Sequence, residues 1–209
     1  MDGIRRLTPE RLQVGVEALC ERDADLARSV DRFGAPPLWG RRPGFATLVR
    51  IVLEQQVSLS SAKATYGRLR AALGSVTAHR VARLEIAELR DLGITRQKAD
   101  YCSNLARLIT TGRLDLRQVA RASDTEARQL LCAVRGIGPW TADIYLLMAL
   151  RRPDVWPDGD LALAAAARRV KRLRKRPSVE RLRRIAGSWK PWRGVAARIL
   201  WHSYLSERR

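Results

Sequence analysis

The chain is written in short helical sentences. Wherever apolar residues recur at helical spacing, a Pro, a Gly or a capping side chain interrupts them within about fifteen residues. Thr8-Pro9 reads as N-cap and first helical residue of a helix to about residue 20. A second covers about 23 to 33 and stops at Gly34, before Ala35-Pro36-Pro37. A third covers about 45 to 53. From Ser60 onward Ala62, Tyr66, Leu69 and Leu73 share a helical face that ends at Gly74. Ile94-Thr95 opens a helix to about residue 110, with Ala99, Cys102, Ala106 and Ile109 on one side. Ser123 and Glu126 form a capping box, and Pro139 begins a helix to about residue 150. Further starts fall near Asp160, Ser178 and Pro191, and no stretch alternates as a strand would. The pattern predicts an all-α chain without internal repeats.

With 209 residues and 46% hydrophobic content, the chain can bury a core. Its length suits one domain or two small lobes. No apolar run reaches the length of a membrane span, and the N-terminal residues lack the apolar stretch of a signal peptide. A soluble, cytoplasmic protein is expected. Cys20, Cys102 and Cys132 are odd in number, far apart and without C-x-x-C, which fits a reducing compartment. His79 and His202 are the only histidines, so zinc sites and His-dependent nucleophilic catalysis have little to work with.

Lys and Arg number 40 against 21 acids, a formal net charge of +19. Only five of the 40 are Lys, a bias that GC-rich coding would also produce. A folded chain this basic calls for a polyanion, nucleic acid ahead of an anionic membrane because no clean basic amphipathic anchor is present. The charge is densest at residues 168–176, RRVKRLRKR, where seven of nine are basic. Such a run is either a solvated face or a set of phosphate contacts.

The sharpest local feature is Val-Arg-Gly-Ile-Gly-Pro-Trp-Thr-Ala-Asp at 134–143. A helix ends, a Gly-Ile-Gly turn follows, and Pro139 occupies the first position of the next helix. Glycines there permit positive φ and uncover backbone N–H groups, which with the positive end of the helix dipole can hold a phosphate oxygen. An ordinary turn between packed helices would use the same residues.

These residues, with Val-Trp-Pro-Asp-Gly-Asp-Leu-Ala-Leu at 155–163, resemble the helix-hairpin-helix (HhH-GPD) base-excision DNA glycosylases. The resemblance is to the 3-methyladenine DNA glycosylase II (AlkA-like) branch. Leu-Glu-Gln-Gln-Val-Ser at 53–58 and Trp-Lys-Pro-Trp-Arg at 189–193, with Trp201 downstream, resemble the same branch. The four segments extend the likeness from about Phe45 to the C-terminus. It implies a two-lobed all-α glycosylase fold without an additional N-terminal β domain. The central lobe would be 45–152, containing the hairpin 134–139, and the second lobe 1–44 plus 153–209.

The resemblance assigns catalysis to Asp160, a carboxylate able to stabilise positive charge at C1′ or to activate water. Asp160 could also simply cap the following helix, and both roles are compatible. Asp158, in Pro-Asp-Gly, reads as a turn residue, although a shift of two would exchange the pair. Trp140 and Trp201 match pocket positions for an extruded base, and Gln55 approaches the pocket or supports its loop. Gln56 matches the side chain that fills the gap left in the duplex. Arg135, Gly136, Ile137, Gly138 and Thr141 are the expected contacts to the DNA backbone. Trp156, Trp189 and Trp192 read as structural, and Tyr145 as undecided.

Bifunctional relatives carry Lys where this chain has Trp140, so no amine nucleophile is expected and the reaction should be hydrolysis alone. The iron–sulfur cysteines of some relatives are missing. The implied function is release of alkylated (3-methyladenine, 7-methylguanine type) or deaminated purines from duplex DNA, without a cofactor or catalytic metal. A structural monovalent cation at the hairpin, a monomeric state and a bacterial, nucleoid-associated setting go with it. Left open are a glycosylase/lyase, a non-catalytic helix-hairpin-helix DNA-binding protein, and a basic RNA-binding protein.

Overall fold

The computed structural model describes residues 6–207; the first five residues, part of the stretch read above for a signal peptide, lie outside it. Among the described residues there are helices and no strand, as the pattern predicts. In order they are α1 (Pro9–Arg22), α2 (Ala24–Phe33), α3 (Phe45–Glu54), α4 (Leu59–Leu73), α5 (Ala78–Val81), α6 (Ile86–Asp91) and α7 (Arg96–Thr110). Then follow α8 (Leu116–Arg121), α9 (Asp124–Cys132), α10 (Pro139–Met148), α11 (Leu161–Val170), α12 (Val179–Gly187) and α13 (Arg193–Ser206). None is long and apolar enough to cross a membrane.

The capping chemistry explains the boundaries. Thr8, Ser58, Thr95, Ser123 and Ser178 each accept a backbone N–H of the first turn they precede. Ser123 and Glu126 form the reciprocal capping box. Gly34 and Gly74 end α2 and α4 at φ 79° and 68°. Three short helices, α5, α6 and α8, were not expected, since four to six residues show no period. The last helix begins at Arg193 with Trp192 as N-cap, not at Pro191.

The chain divides into two compact units. One is Arg41–Leu150; the other joins the residues through Gly40 to those from Arg151 onward. In the first unit α10 is mostly apolar and buried from Thr141 to Leu147, as a central helix must be, and its buried Asp143 accepts Arg128 Nε (2.7 Å). It packs on α3 and α9, while α3 also meets α4 and α7. Tyr145, fully buried on α10, accepts the Gly44 N–H at the start of α3 (3.0 Å).

In the other unit α13 is the core element, buried at Val195, Ile199, Leu200 and Trp201. It packs on α1, α2, α11 and α12. The unit is pinned by Asp23, the N-cap of α2, which accepts Lys171 Nζ (2.9 and 3.1 Å) and Trp189 Nε1 (2.8 Å). Trp189 is fully buried and Trp156 packs on it with ring centroids 5.6 Å apart, so both are core residues.

Candidate active site

In the Arg41–Leu150 unit the hairpin follows α9 directly. The Ile137 N–H donates to Val134 O (3.0 Å), closing the turn, and Gly136 lies at φ 93°. A Cβ at Gly136 would stand 2.2–2.6 Å from the Tyr101 ring, so the glycine serves packing as well as conformation. Gly138, the N-cap of α10, differs from expectation. Its φ of −84° is one any residue adopts, and only Gly136 needs the left-handed region. Gly138 is exposed and nothing lies within 4 Å of where its Cβ would be, so the start of α10 stays open to an approaching group. Arg135 is exposed beside it, and Trp140 is half-buried at the second position of the helix.

Two of the expected DNA contacts are turned inward. Ile137 is 4% exposed and Thr141 2%, because both pack under the hairpin. Gln55 supports the turn instead of presenting its side chain as a free pocket wall. Its Nε2 donates to Gly136 O (3.0 Å) and to Thr141 Oγ1 (2.9 Å). Lys98, which sequence reasoning passed over, holds the same segment from below. Its Nζ donates to Leu53 O (2.8 Å) and Gln55 O (2.7 Å), satisfying carbonyls at the end of α3. Burial lowers the Lys98 pKa. The next residue, Gln56, is exposed and left-handed at φ 55°, a conformation costing a non-glycine residue roughly 1–2 kcal/mol. With Lys98 and the Gln55 side chain fixing the residues before it, Gln56 stands out between α3 and α4.

In the other unit Asp160 caps α11: its Oδ1 accepts the Leu163 N–H (2.8 Å) and Trp201 Nε1 (3.3 Å). Both side chains are at the edge of burial, each 9% exposed. Trp201 therefore orients the carboxylate, a use the pocket assignment had not included. Asp158 takes another direction. Its Oδ2 accepts Arg183 Nε (2.8 Å), and with Gly159 at φ 80° it forms the turn leading into Asp160. The structure thus joins Gln55, Gly136 and Thr141 in one unit, and Asp160 and Trp201 in the other. Lys98 and Tyr101 carry no motif signal that would have singled them out.

In the run 168–176, two bases are spent on structure. Arg169 pairs with Glu207 (2.5 Å), and Lys171 pairs with Asp23 and Asp25 (2.9 and 2.6 Å). Arg168, Arg172, Arg174, Lys175 and Arg176 are exposed.

The family model described as HhH-GPD superfamily base excision DNA repair protein matches residues 49–191. The chain is 32% identical over 122 residues to a DNA-3-methyladenine glycosylase of Bacillus subtilis (strain 168), covering 58% of this chain and 40% of the relative. It is 25% identical over 195 residues to DNA-3-methyladenine glycosylase 1 of Schizosaccharomyces pombe, covering 91% and 86%. The chain spans about half the length of the Bacillus subtilis relatives it matches, 40% of one and 57% of another. Among solved structures it is similar to a DNA-3-methyladenine glycosidase from Bacillus halodurans, with TM-score 0.78 and 28% identity, over 92% of this chain and 91% of the other. The same fold is seen in the Schizosaccharomyces pombe 3-methyladenine DNA glycosylase bound to abasic DNA, with TM-score 0.78 and 24% identity over 91% and 95%. A helical hairpin at a helix N-terminus, a capping aspartate downstream and a family match across both place this chain in the HhH-GPD superfamily of base excision DNA repair proteins.

Proposed function

We propose that the chain is a monofunctional DNA glycosylase that hydrolyses the N-glycosidic bond of alkylated (3-methyladenine, 7-methylguanine type) or deaminated purines in duplex DNA. The observation that carries this reading is Asp160, held by a backbone N–H and an indole N–H on one oxygen inside the family-matched region. As the bond to the base breaks, C1′ gains oxocarbenium character, and a fixed carboxylate stabilises that charge or orients the attacking water. Water supplies the hydroxyl at C1′ and gives up a proton. A cationic alkylpurine leaves as the neutral base and that proton passes to solvent, a neutral deaminated purine leaves carrying a proton, and an abasic site remains.

The other residues have supporting roles. Trp140 offers an indole face to the extruded base, and stacking with a cationic alkylpurine contributes roughly 0.5–2 kcal/mol. Trp201 offers a second indole face while orienting Asp160. Gln56, exposed and left-handed, fills the gap in the duplex. The start of α10, Gly136, Gly138 and Arg135 hold the phosphate backbone, with Ile137 and Thr141 contributing through their main chain and Gln55 fixing the turn. With Trp140 in place of a lysine, hydrolysis is the whole reaction. No cofactor is needed, a monovalent cation at the hairpin would be structural, and the active form is a monomer.

The test is incubation with duplexes containing 3-methyladenine, 7-methylguanine, hypoxanthine or ethenoadenine, scoring abasic sites by alkaline cleavage. Release from at least one lesion, abolished in Asp160→Asn, is expected. No release from any lesion, or undiminished release by Asp160→Asn, overturns the reading. A covalent adduct trapped by borohydride overturns monofunctionality.

A further inference from the structure

The end of α11 breaks a local rule at the most basic point of the chain. The Leu173 N–H donates to Arg168 O (2.8 Å) and the Arg172 N–H to Arg169 O (3.0 Å), the paired bonds of a Schellman cap. The residue such a cap sets in the left-handed region is usually Gly, yet here it is Arg172, at φ 50°. Among the described residues only Gln56, Arg151 and Arg172 are non-glycine with positive φ. A strained residue kept where a commoner one would fit better points to a use outside the fold.

No structural use is visible for it. Arg169 and Lys171 hold carboxylates of α2 and of the segment after α13, but among the described residues no carboxylate lies in salt-bridge range of Arg172, Arg174, Lys175 or Arg176. Bases in a helix's last turn complement its dipole, and Arg168 does so. Residues 172–176 lie past the helix, where that explanation lapses. They are exposed except for the half-buried Leu173, whose inward turn sends its neighbours out.

We propose that Arg172, Arg174, Lys175 and Arg176 form a second phosphate-binding surface for duplex DNA, separate from the hairpin. This rests on duplex DNA being the partner. The argument for duplex DNA is continuity: Asp160 stands at one end of α11 and Arg172 just beyond the other. At 1.5 Å per residue the separation is about 18 Å, the axial length of about five base pairs. A duplex engaged at Asp160 and running alongside α11 would bring its backbone to this loop. Its contribution is sequence-independent affinity, which holds the protein on undamaged DNA between lesions.

The test uses fluorescence anisotropy of a short, labelled, undamaged duplex over a salt series, with each variant's melting temperature measured beside it. Every phosphate that a variant no longer neutralises should lower the slope of log K against log salt by about 0.9. Arg172→Gly should lower it by about that amount while its melting temperature holds or rises, because Gly suits φ 50°. R174Q/K175Q/R176Q together should lower it by up to about three times as much, again with the melting temperature held. Unchanged slopes in both variants overturn the proposal, as does weakening seen only where the melting temperature also drops. Tighter binding of an A-form RNA duplex, weakened equally by the same variants, overturns the choice of DNA. Undamaged DNA needs no base release, so absent glycosylase activity would sink the proposed function and leave this result standing. A parent chain that binds no duplex overturns both.

Discussion

Trp201 Nε1 and the Leu163 N–H converge on the same oxygen of Asp160, at 3.3 and 2.8 Å. The backbone bond belongs to the start of α11, whereas the indole bond comes from α13 and sets how the carboxylate is turned. Trp201→Phe keeps most of the ring and removes the donor. Losing a hydrogen bond worth about 1 kcal/mol should slow base release about fivefold under single-turnover conditions. A change confined to substrate affinity would mean that the indole only stacks. Asp160→Asn retains a good N-cap and should melt near the parent while losing a hundredfold or more in rate, about the range of a lost general base.

Gly136 and Tyr101 are in such close contact that any Cβ collides with the ring. Gly136→Ala should destabilise the Arg41–Leu150 unit by about 2–4 kcal/mol, from overlap and positive φ together. Chemical denaturation measures it. Adding Tyr101→Ala removes the overlap but not the φ penalty, so the double variant should fall short of the sum of the two single costs. Additive costs would mean that the two residues do not interact.

Lys98 bonds the carbonyls of Leu53 and Gln55 just before the left-handed Gln56. Lys98→Met leaves those carbonyls without a donor. We expect a loss of about 1–3 kcal/mol and faster amide exchange at residues 55–58, with base release slowed in step. Unchanged exchange there would show that Gln55 and the hairpin hold the turn unaided.

Burial alone would raise the Asp23 carboxyl, but hydrogen bonds from Trp189 and Lys171 outweigh it and hold the pKa below the usual range. The unfolded chain therefore takes up this proton first. The stabilisation is fully present above the unfolded value, about 3.9, and is lost as pH falls through the lower folded value. Asp23→Asn, which keeps the cap on α2, should be less stable at neutral pH by about 1–3 kcal/mol. Its stability should also fall less steeply below about pH 4 than the parent's. Parallel acid limbs for the two proteins would exclude the linkage.

What could be seen in the sequence was what local chemistry decides. Ser123 with Glu126, Thr8 with Pro9, and the glycines at 34 and 74 announce helix ends because each acts within a turn of itself. Asp160 was legible twice, as a cap and through its motif. The support beneath the site was not: Gln55 reaches Gly136 across 81 positions, and Lys98 reaches Leu53 across 45. Periodicity cannot pair such residues, and neither carries an unusual composition. Resemblance brought Trp201 to the site but assigned it stacking, since only coordinates show an indole N–H aimed at a carboxylate.

The division of the chain has a consequence for its synthesis. Arg41–Leu150 is continuous and can reach its final packing as soon as its last residue has emerged. The other unit is built around α13, the last helix of the described chain, so α1 and α2 are made first and wait longest. Until α13 arrives, Leu19 and Leu26 lack its apolar face, although both end fully buried. The unit that carries Asp160 therefore depends on contacts across the whole intervening segment, with the slow closure that such separation imposes. The unit with Asp160 is thus completed only when α13 joins it, after the continuous hairpin unit.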